Sequence, residues 1–506
     1  MKKTLSLFIC LIMLLCMSWA LAESDYSEHM TISGAWTLYY GGDVNNDPLT
    51  QWWGKKFNID WEIVNADSEK CRIWINSGDV PDVMIWDYSH VEAANYVDQE
   101  LFYRFPDDWK ERWPNVAEWY SYTGLGDYAE ELFGGTYMIP RAIFTTALEG
   151  ISPILWHYDV YIRTDWLKAI GIEPKTAYTV PELISIAEKI KEEDPGNIGS
   201  SLIPICVDTS YAYRLFVRSN YEKANKFYKD ENGEYKWGAA DPETLEALKL
   251  YQEAYNMGLI PTEFFTLSNA DAREYATNLG VGAMFMGGAT ASLHQSRTYE
   301  MMTNLGITED DIQIVPALGA DGKYHDFEVE NWGSVVVFDP NISEERFTRI
   351  MDMMDYACSP EGQILINCGF EGVDWEYDKE GKIVPLNNIP MKQKYPSQDP
   401  LYCNMCFMAD NFSLQNPTIA EKYRQDTIND YQLKAELSDE DTVYWIDWDL
   451  LFYESDAMQK ATFKYENEFA QLIVKDGDLT ENWQAWVNSK MPLVQRVLDE
   501  LNAMND

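Results

Sequence analysis

Histidine is scarce in this chain, five residues in 506, scattered and without a His-Glu-x-x-His pair, which argues against a histidine-built metal centre. Cysteine is little better represented. Of eight, Cys10 and Cys16 lie in the N-terminal apolar stretch, and Cys71, Cys206, Cys358, Cys368, Cys403 and Cys406 are too sparse to frame a chain of this size. They read as optional bridges or buried thiols. Cys403-Asn404-Met405-Cys406 has redox or zinc spacing, but no second pair completes four ligands, so a thiol pair or local disulfide is the plainer reading. Positive charge is short too: 39 Lys and Arg face 83 Asp and Glu, a formal charge of -44 that repels nucleic acid phosphates and anionic lipid. There is no serine nucleophile elbow, Walker loop or dinucleotide Gly-x-Gly-x-x-Gly, so acyl transfer, nucleotide hydrolysis and hydride transfer lack support. Asp43-Val44-Asn45-Asn46-Asp47 lacks the glycine and closing glutamate of an EF-hand loop and reads as a solvated turn. No cofactor is expected, and neither internal repeats nor low-complexity tracts interrupt the pattern.

The chain opens instead with a recognisable address. Residues 1–22 read as a secretory signal, with Lys2 and Lys3 as the charged head, Leu5 to Trp19 as the apolar stretch and Ala20-Leu21-Ala22 as the cleavage site. The expectation is an exported protein, extracellular, cell-surface associated or periplasmic. Leu15 is the wrong predecessor for lipid attachment at Cys16, so the cut falls after Ala22 and the mature chain starts at Glu23. Losing Lys2 and Lys3 moves the formal charge from -44 to -46. No later run approaches the ~20 apolar residues of a membrane span, so no direct insertion is expected after cleavage. With 46% hydrophobic residues, the mature chain can bury a large core, and its length fits two lobes.

Short apolar runs alternating with helical periodicity predict an α/β protein with largely parallel sheets. The strand candidates are Ile59 to Val64, Asp82 to Trp86, Leu202 to Val207, Val281 to Met286, Ile312 to Val315 and Trp332 to Phe338. Thr179-Val180-Pro181-Glu182 is a capping box ahead of Leu183, Ile186, Ala187 and Ile190 on one helical face. Further helices open at Asp241-Pro242, at Ser343 and at Ser359-Pro360, the last ending at Gly369. About Pro385 to Pro417 reads as a long irregular excursion, and a mostly helical region, with the run Tyr444-Trp445-Ile446-Asp447-Trp448 inside it, follows Ile419.

Gly369-Phe370-Glu371-Gly372-Val373-Asp374-Trp375 sets two carboxylates and an indole between glycines, and the turn-like Asp378 to Lys382 follows. That chemistry suits a sugar ring, whose C–H face an indole covers while carboxylates accept from its hydroxyls. It also suits a plain acidic loop with one anchoring tryptophan. Together with Gly135 to Arg141, Trp156 to Ile172, Leu279 to Gly287 and Ser359 to Gly362, this stretch resembles, in order, segments of the extracellular solute-binding proteins of bacterial ABC importers, in the oligosaccharide-binding branch. The resemblance implies an α/β, two-lobed periplasmic-binding-protein-like fold (type II), with hinge-linked lobes and a ligand cleft. It further implies lobe 1 as residues 23–145 and 288–362, and lobe 2 as 146–287 and 363–506 with a helical C-terminal part. The implied partners are a carbohydrate ligand and the permease subunits of an ABC importer, with the protein a monomer and not an enzyme.

Ligand residues are sought just past strand ends, where open sheets form their crevice. That rule selects Asn45 and Asn46 after the opening strand, Trp86 and Asp87 after the third strand of the first lobe, and Asp208, Tyr211 and Tyr213 after Leu202 to Val207. Arg141 sits where the chain leaves the first lobe, Trp156 and Tyr158 where it returns, and Trp332 follows Glu330-Asn331. With Glu371, Asp374 and Trp375 these are the candidate ligand-binding residues. The competing readings are the same fold holding a peptide or other small solute, and a secreted glycoside hydrolase using an acid pair such as Glu371 and Asp374.

Overall fold

The structure is a computed structural model, described over residues 26–36, 46–86, 90–142, 158–327, 330, 332–387, 389, 391–398 and 416–504. The signal segment, Asn45, Asp87, Trp156 and the Cys403–Cys406 pair lie outside the described residues. Among the described residues nine strands build two sheets: β1 (Met30–Trp36), β2 (Ile59–Asn65), β3 (Val83–Trp86), β4 (Ile139–Ala142), β5 (Tyr158–Arg163), β6 (Ile203–Cys206), β7 (Gly282–Gly288), β8 (Ile312–Val315) and β9 (Trp332–Phe338). The first sheet runs β2-β1-β3-β9-β4 and the second β8-β5-β7-β6. Two-stranded ribbons, including Trp375–Tyr377 with Ile383–Pro385, accompany them.

The sheets are mixed rather than largely parallel. β1 pairs in parallel with β2 and β3, but β9 is antiparallel to both β3 and β4; β7 is parallel to β6, whereas β5 is antiparallel to β7 and β8. Apolar patterning marks where a strand lies, while its direction is set by how the chain returns to the sheet, and the returning strands β5 and β9 arrive inverted.

Burial on both faces explains the near-continuous apolar runs. In β3 and β9, Val83, Ile85, Val336 and Phe338 face one core with Phe105 and Phe347, while Met84, Trp86, Val335 and Val337 face another with Tyr96 and Phe102. The second sheet repeats the device: Val160, Ile162, Ile205, Met284 and Met286 join the largest core, and Tyr161, Cys206 and Phe285 lie opposite. Helices Glu344–Cys358 and Pro360–Cys368 pack on the first sheet through Phe347, Ile350, Met351 and Ile366. Helices Tyr465–Val474 and Leu479–Ala503 pack on the second through Phe469, Trp483, Trp486 and Val497.

Local signals are realised. Thr179 Oγ1 accepts from Glu182 N and the Glu182 carboxylate accepts from Thr179 N, closing both arms of the capping box. Ser343 and Ser359 cap their helices. Cys71, Cys206, Cys358 and Cys368 are all buried.

Candidate functional site

The carboxyl ends of β6 and β7 and the amino end of β5 share one edge of the second sheet, the place where an open sheet forms its crevice. Past β6, the Asp208 carboxylate accepts from Tyr211 N at 3.0 Å and starts helix Thr209–Tyr213. A π-helical turn over Arg214–Arg218 follows, of the kind that recurs at functional sites. It aims both arginines at Asp326: Nη1 of Arg214 lies 2.8 Å and Nε of Arg218 3.1 Å from its Oδ1. The Arg214 guanidinium also lies 3.6 Å above the Tyr158 ring, which sits 6.1 Å from Tyr211, and Arg218 Nη2 donates to the Phe327 carbonyl at 2.6 Å. Asp326 is fully buried, so its charge is held by these two guanidiniums rather than by water.

Beyond Asp326 the chain crosses to the first sheet and begins β9. Beside this crossing lies a cavity of about 400 Å³, whose lining includes Arg218, Glu222, Glu330, Trp332, Tyr444 and Asp447. That size is ordinary for a small-molecule site. Its far wall, the segment after Tyr444, is fixed to the second body: Tyr444 OH donates to the Phe227 carbonyl at 2.9 Å, Tyr235 OH donates to Asp447 at 2.7 Å, and Tyr453 OH donates to Glu500 at 3.0 Å. The same segment touches the first body. Trp448 lies 6.1 Å from Trp332, its carbonyl accepts from Tyr128 OH at 3.0 Å, and Tyr128 stacks on Phe452 at 5.6 Å. Glu222, on the cavity wall, is joined at 2.9 Å to His325, whose other ring nitrogen lies 3.1 Å from Asp321. Burial works against the imidazolium there, but the two carboxylates outweigh it and raise its pKa.

Among the residues selected from sequence, the structure brings Tyr158, Tyr211 and Trp332 to this region. Trp86 is a core residue, fully buried with Tyr96 and Phe102 at 5.6 and 6.2 Å. Arg141 is fully buried in the first sheet, donating to Ser334 Oγ. Asn46 is exposed, and its carbonyl accepts from Gln51 beside the helix cap Asp47.

The segment from Gly369 is turned to its own fold. Asp374, 4% exposed, accepts from Phe370 N at 2.8 Å and Tyr395 OH at 2.7 Å and pairs with Lys394 at 2.8 Å. Trp375 donates its indole N–H to the Gly369 carbonyl at 3.0 Å, while Glu371 points to solvent. Gly369 is needed there, since it has φ +82° and a Cβ would lie 2.2 Å from Asp374 Oδ2. Sequence reading missed Arg214, Arg218, Asp326, Glu222, Tyr444 and Asp447 as site residues. Two arginines four apart just past a strand end, in a chain so poor in positive charge, were the available signal.

Among the described residues no cluster of His, Cys, Asp and Glu is placed to hold a metal ion, and no helix is long and apolar enough to cross a membrane. This fold is similar to that of solved solute-binding proteins of ABC transporters. Among solved structures, the chain is similar to the alginate-binding protein AlgQ2 without calcium ion, with TM-score 0.68 and 17% identity over 95% of this chain and 98% of that one. It is also similar to the S. pneumoniae ABC-transporter substrate binding protein FusA in complex with kestose (TM-score 0.64, 16% identity, 94% and 98%). A third likeness is to the N-glycan transport solute binding protein NgtS from Streptococcus pneumoniae in complex with Man1GlcNAc (TM-score 0.59, 15% identity, 94% and 98%). By sequence it is similar to lipoprotein LipO of Bacillus subtilis (strain 168), 22% identical over 352 residues, which span 67% of this chain and 65% of LipO. No family model matches the sequence.

Proposed function

We propose that this protein captures a carbohydrate, an oligosaccharide, between its two lobes and delivers it unchanged to the permease of an ABC importer. The observation that carries the reading is the cavity beside the lobe crossing, where the rings of Trp332 and Tyr444 meet the carboxylates of Glu222, Glu330 and Asp447 and the guanidinium of Arg218. Rings cover sugar C–H faces, carboxylates and guanidinium bond its hydroxyls, and a hydroxyl missing from the wrong sugar leaves a partner unpaired at a cost of about 1–3 kcal/mol. Solved neighbours of the same fold carry kestose and Man1GlcNAc, which favours this ligand class.

The structure-guided lobes differ from the sequence expectation. Because β8 pairs with β5, we assign Ile312–Val315 to lobe 2, and because Gln363 to Cys368, Asp374, Tyr395, Ser397 and Gln398 join the first body, we assign them to lobe 1. Export and solution as a monomer belong to the same proposal. Binding rather than hydrolysis is favoured because Asp374, half of the acid pair considered from sequence, is consumed in an ion pair with Lys394.

The test is titration calorimetry of the mature chain against a glycan panel, with small-angle scattering of the free and saturated forms. A binding heat for at least one oligosaccharide, with a more compact saturated form and no product released, is expected. Heats only for peptides would favour the peptide reading, and glycan turnover would favour a hydrolase.

A further inference from the structure

Around Tyr211 the strand ends of the second sheet gather positive charge that the cavity does not use. Helix Asn269–Thr277 begins beside the end of β6, where Asn269 hydrogen-bonds the Asp208 side chain, and it carries Arg273 one turn further on. Helix Ala291–Leu305 begins just past β7, and Arg297 on it reaches back toward the helix start. Its Nη1 donates to the Gly288 carbonyl at 2.5 Å and its guanidinium lies 5.3 Å from the centre of the Tyr161 ring. β7 clears the way with glycine, since a Cβ on Gly287 would lie 2.3 Å from that Nη1.

Arg297 is therefore anchored, and Arg273 is not. Arg273 is half-buried, lies in the field of Arg297, Glu300 and Tyr211, and has no hydrogen bond or ion pair among the described residues. Burial, and then the like charge of Arg297, push its pKa down. The nearby acids keep their charge but pair with neither arginine: Glu300 accepts from Thr277 Oγ1 at 3.3 Å, and Asp208 from Tyr211 N at 3.0 Å, and of the charges around Arg273 that of Arg297 acts most strongly, ahead of Glu300. Drawing a guanidinium partly out of water beside another costs free energy, and a bound anion offsets that cost. The chain's acidity does not forbid this, because exposed charges beyond about 8 Å are screened at physiological ionic strength, leaving the nearest groups, in which Arg297 outweighs Glu300 at Arg273, to set the potential.

We propose that Arg273 and Arg297 form a subsite, at the crevice edge of the second lobe, for an anionic substituent on the captured saccharide, a carboxylate or a sulfate ester. The inference rests on the saccharide-binding reading and narrows its ligand class. Guanidinium forks match the planar oxygens of such groups, with Tyr158 and Tyr211 beside them to cover the sugar ring.

The test compares affinities of the mature protein for oligogalacturonates and oligoglucuronates with those for their carboxyl-reduced counterparts, and for sulfated galactans with their desulfated forms. Each series is repeated with Arg273→Gln and Arg273→Lys. The acidic member of at least one series is expected to bind about tenfold tighter than its neutral match, Arg273→Gln is expected to abolish that preference while leaving neutral binding within about twofold, and Arg273→Lys to restore part of it. Which series responds distinguishes carboxylate from sulfate. Equal or tighter binding of the neutral forms, or no effect of Arg273→Gln, overturns the subsite while saccharide capture stands. A large loss of ligand-free thermal stability in Arg273→Gln also overturns it, by making Arg273 structural. Binding by no member of any series overturns the subsite, and saccharide capture falls with it only if the glycan panel is also silent.

Discussion

The carboxylates of Asp374 and Asp447 illustrate how one residue type serves different ends. Asp374 is held by Lys394, Tyr395 and the Phe370 amide inside its own loop, whereas Asp447 accepts from Tyr235 OH and from Leu450 N and lines the cavity. Asp374→Ala strands Lys394, whose side chain is 15% exposed, and is expected to cost about 3–5 kcal/mol in denaturant unfolding while leaving glycan affinity unchanged. Trp332→Ala should act on both, weakening the best glycan about tenfold by loss of ring contact and, because the ring is buried on β9, also lowering the unfolding midpoint by about 3–5 kcal/mol of stability. The sequence could not separate these roles. Gly369 to Trp375 has the composition of a sugar loop, but its partners Lys394 and Tyr395 come from some twenty positions away, and that distance decides what Asp374 does. Trp86 misled for a related reason: a strand end predicts position along the sheet, yet the alternation within β3 turns its ring to the Tyr96–Phe102 core.

Elements were legible where the signal is local. The capping box of Val180–Glu193 needs only residues three apart, and Thr179→Ala should cost about 1 kcal/mol in the same unfolding assay. Docking of helix Glu421–Glu436 was not legible, because it depends on a buried cluster assembled across the chain. Lys434 Nζ lies 2.8 Å from Asp159 on β5 and 2.7 Å from Asp430 one turn back on its own helix. One lysine faces two carboxylates out of water, so burial and then mutual repulsion raise the Asp159 pKa, and burial raises that of Asp430. The folded state therefore holds a proton here more tightly than the unfolded chain. This cluster's contribution is fully present at acid pH and is lost as pH climbs from the ordinary carboxylate range through the raised folded value. Asp430→Asn, which removes one of the two like charges, should flatten that decline, seen as a smaller drop in unfolding midpoint between mildly acid and mildly alkaline buffer. An unchanged pH profile would place the shared proton elsewhere.

At the scale of the molecule, the two sheets and their order along the chain follow from runs of apolar residues, and the two-lobed expectation came from segments spread over much of the length. What holds the lobes to each other did not. The run Tyr444 to Trp448, expected within a helical cap, is irregular until Trp448 begins a short helix, and its fixed end and free face serve different bodies. Leu450 and Tyr453 pack into the core of the second lobe. Trp448 and Phe452 meet Tyr128 and Phe133 of the first, and Asn95 donates to Glu454 at 2.8 Å. Such a strap resists lobe separation through a few aromatic contacts, each worth about 0.5–1.5 kcal/mol beyond its buried area, which is small enough for ligand binding to compete with. Replacing both Trp448 and Phe452 with alanine should broaden the range of lobe angles, raising the radius of gyration of the ligand-free protein and narrowing its difference from the saturated form. Far-ultraviolet circular dichroism should stay the same, since neither ring belongs to a lobe core. Scattering curves that superimpose on the wild type in both states would show that this strap does not hold the lobes together.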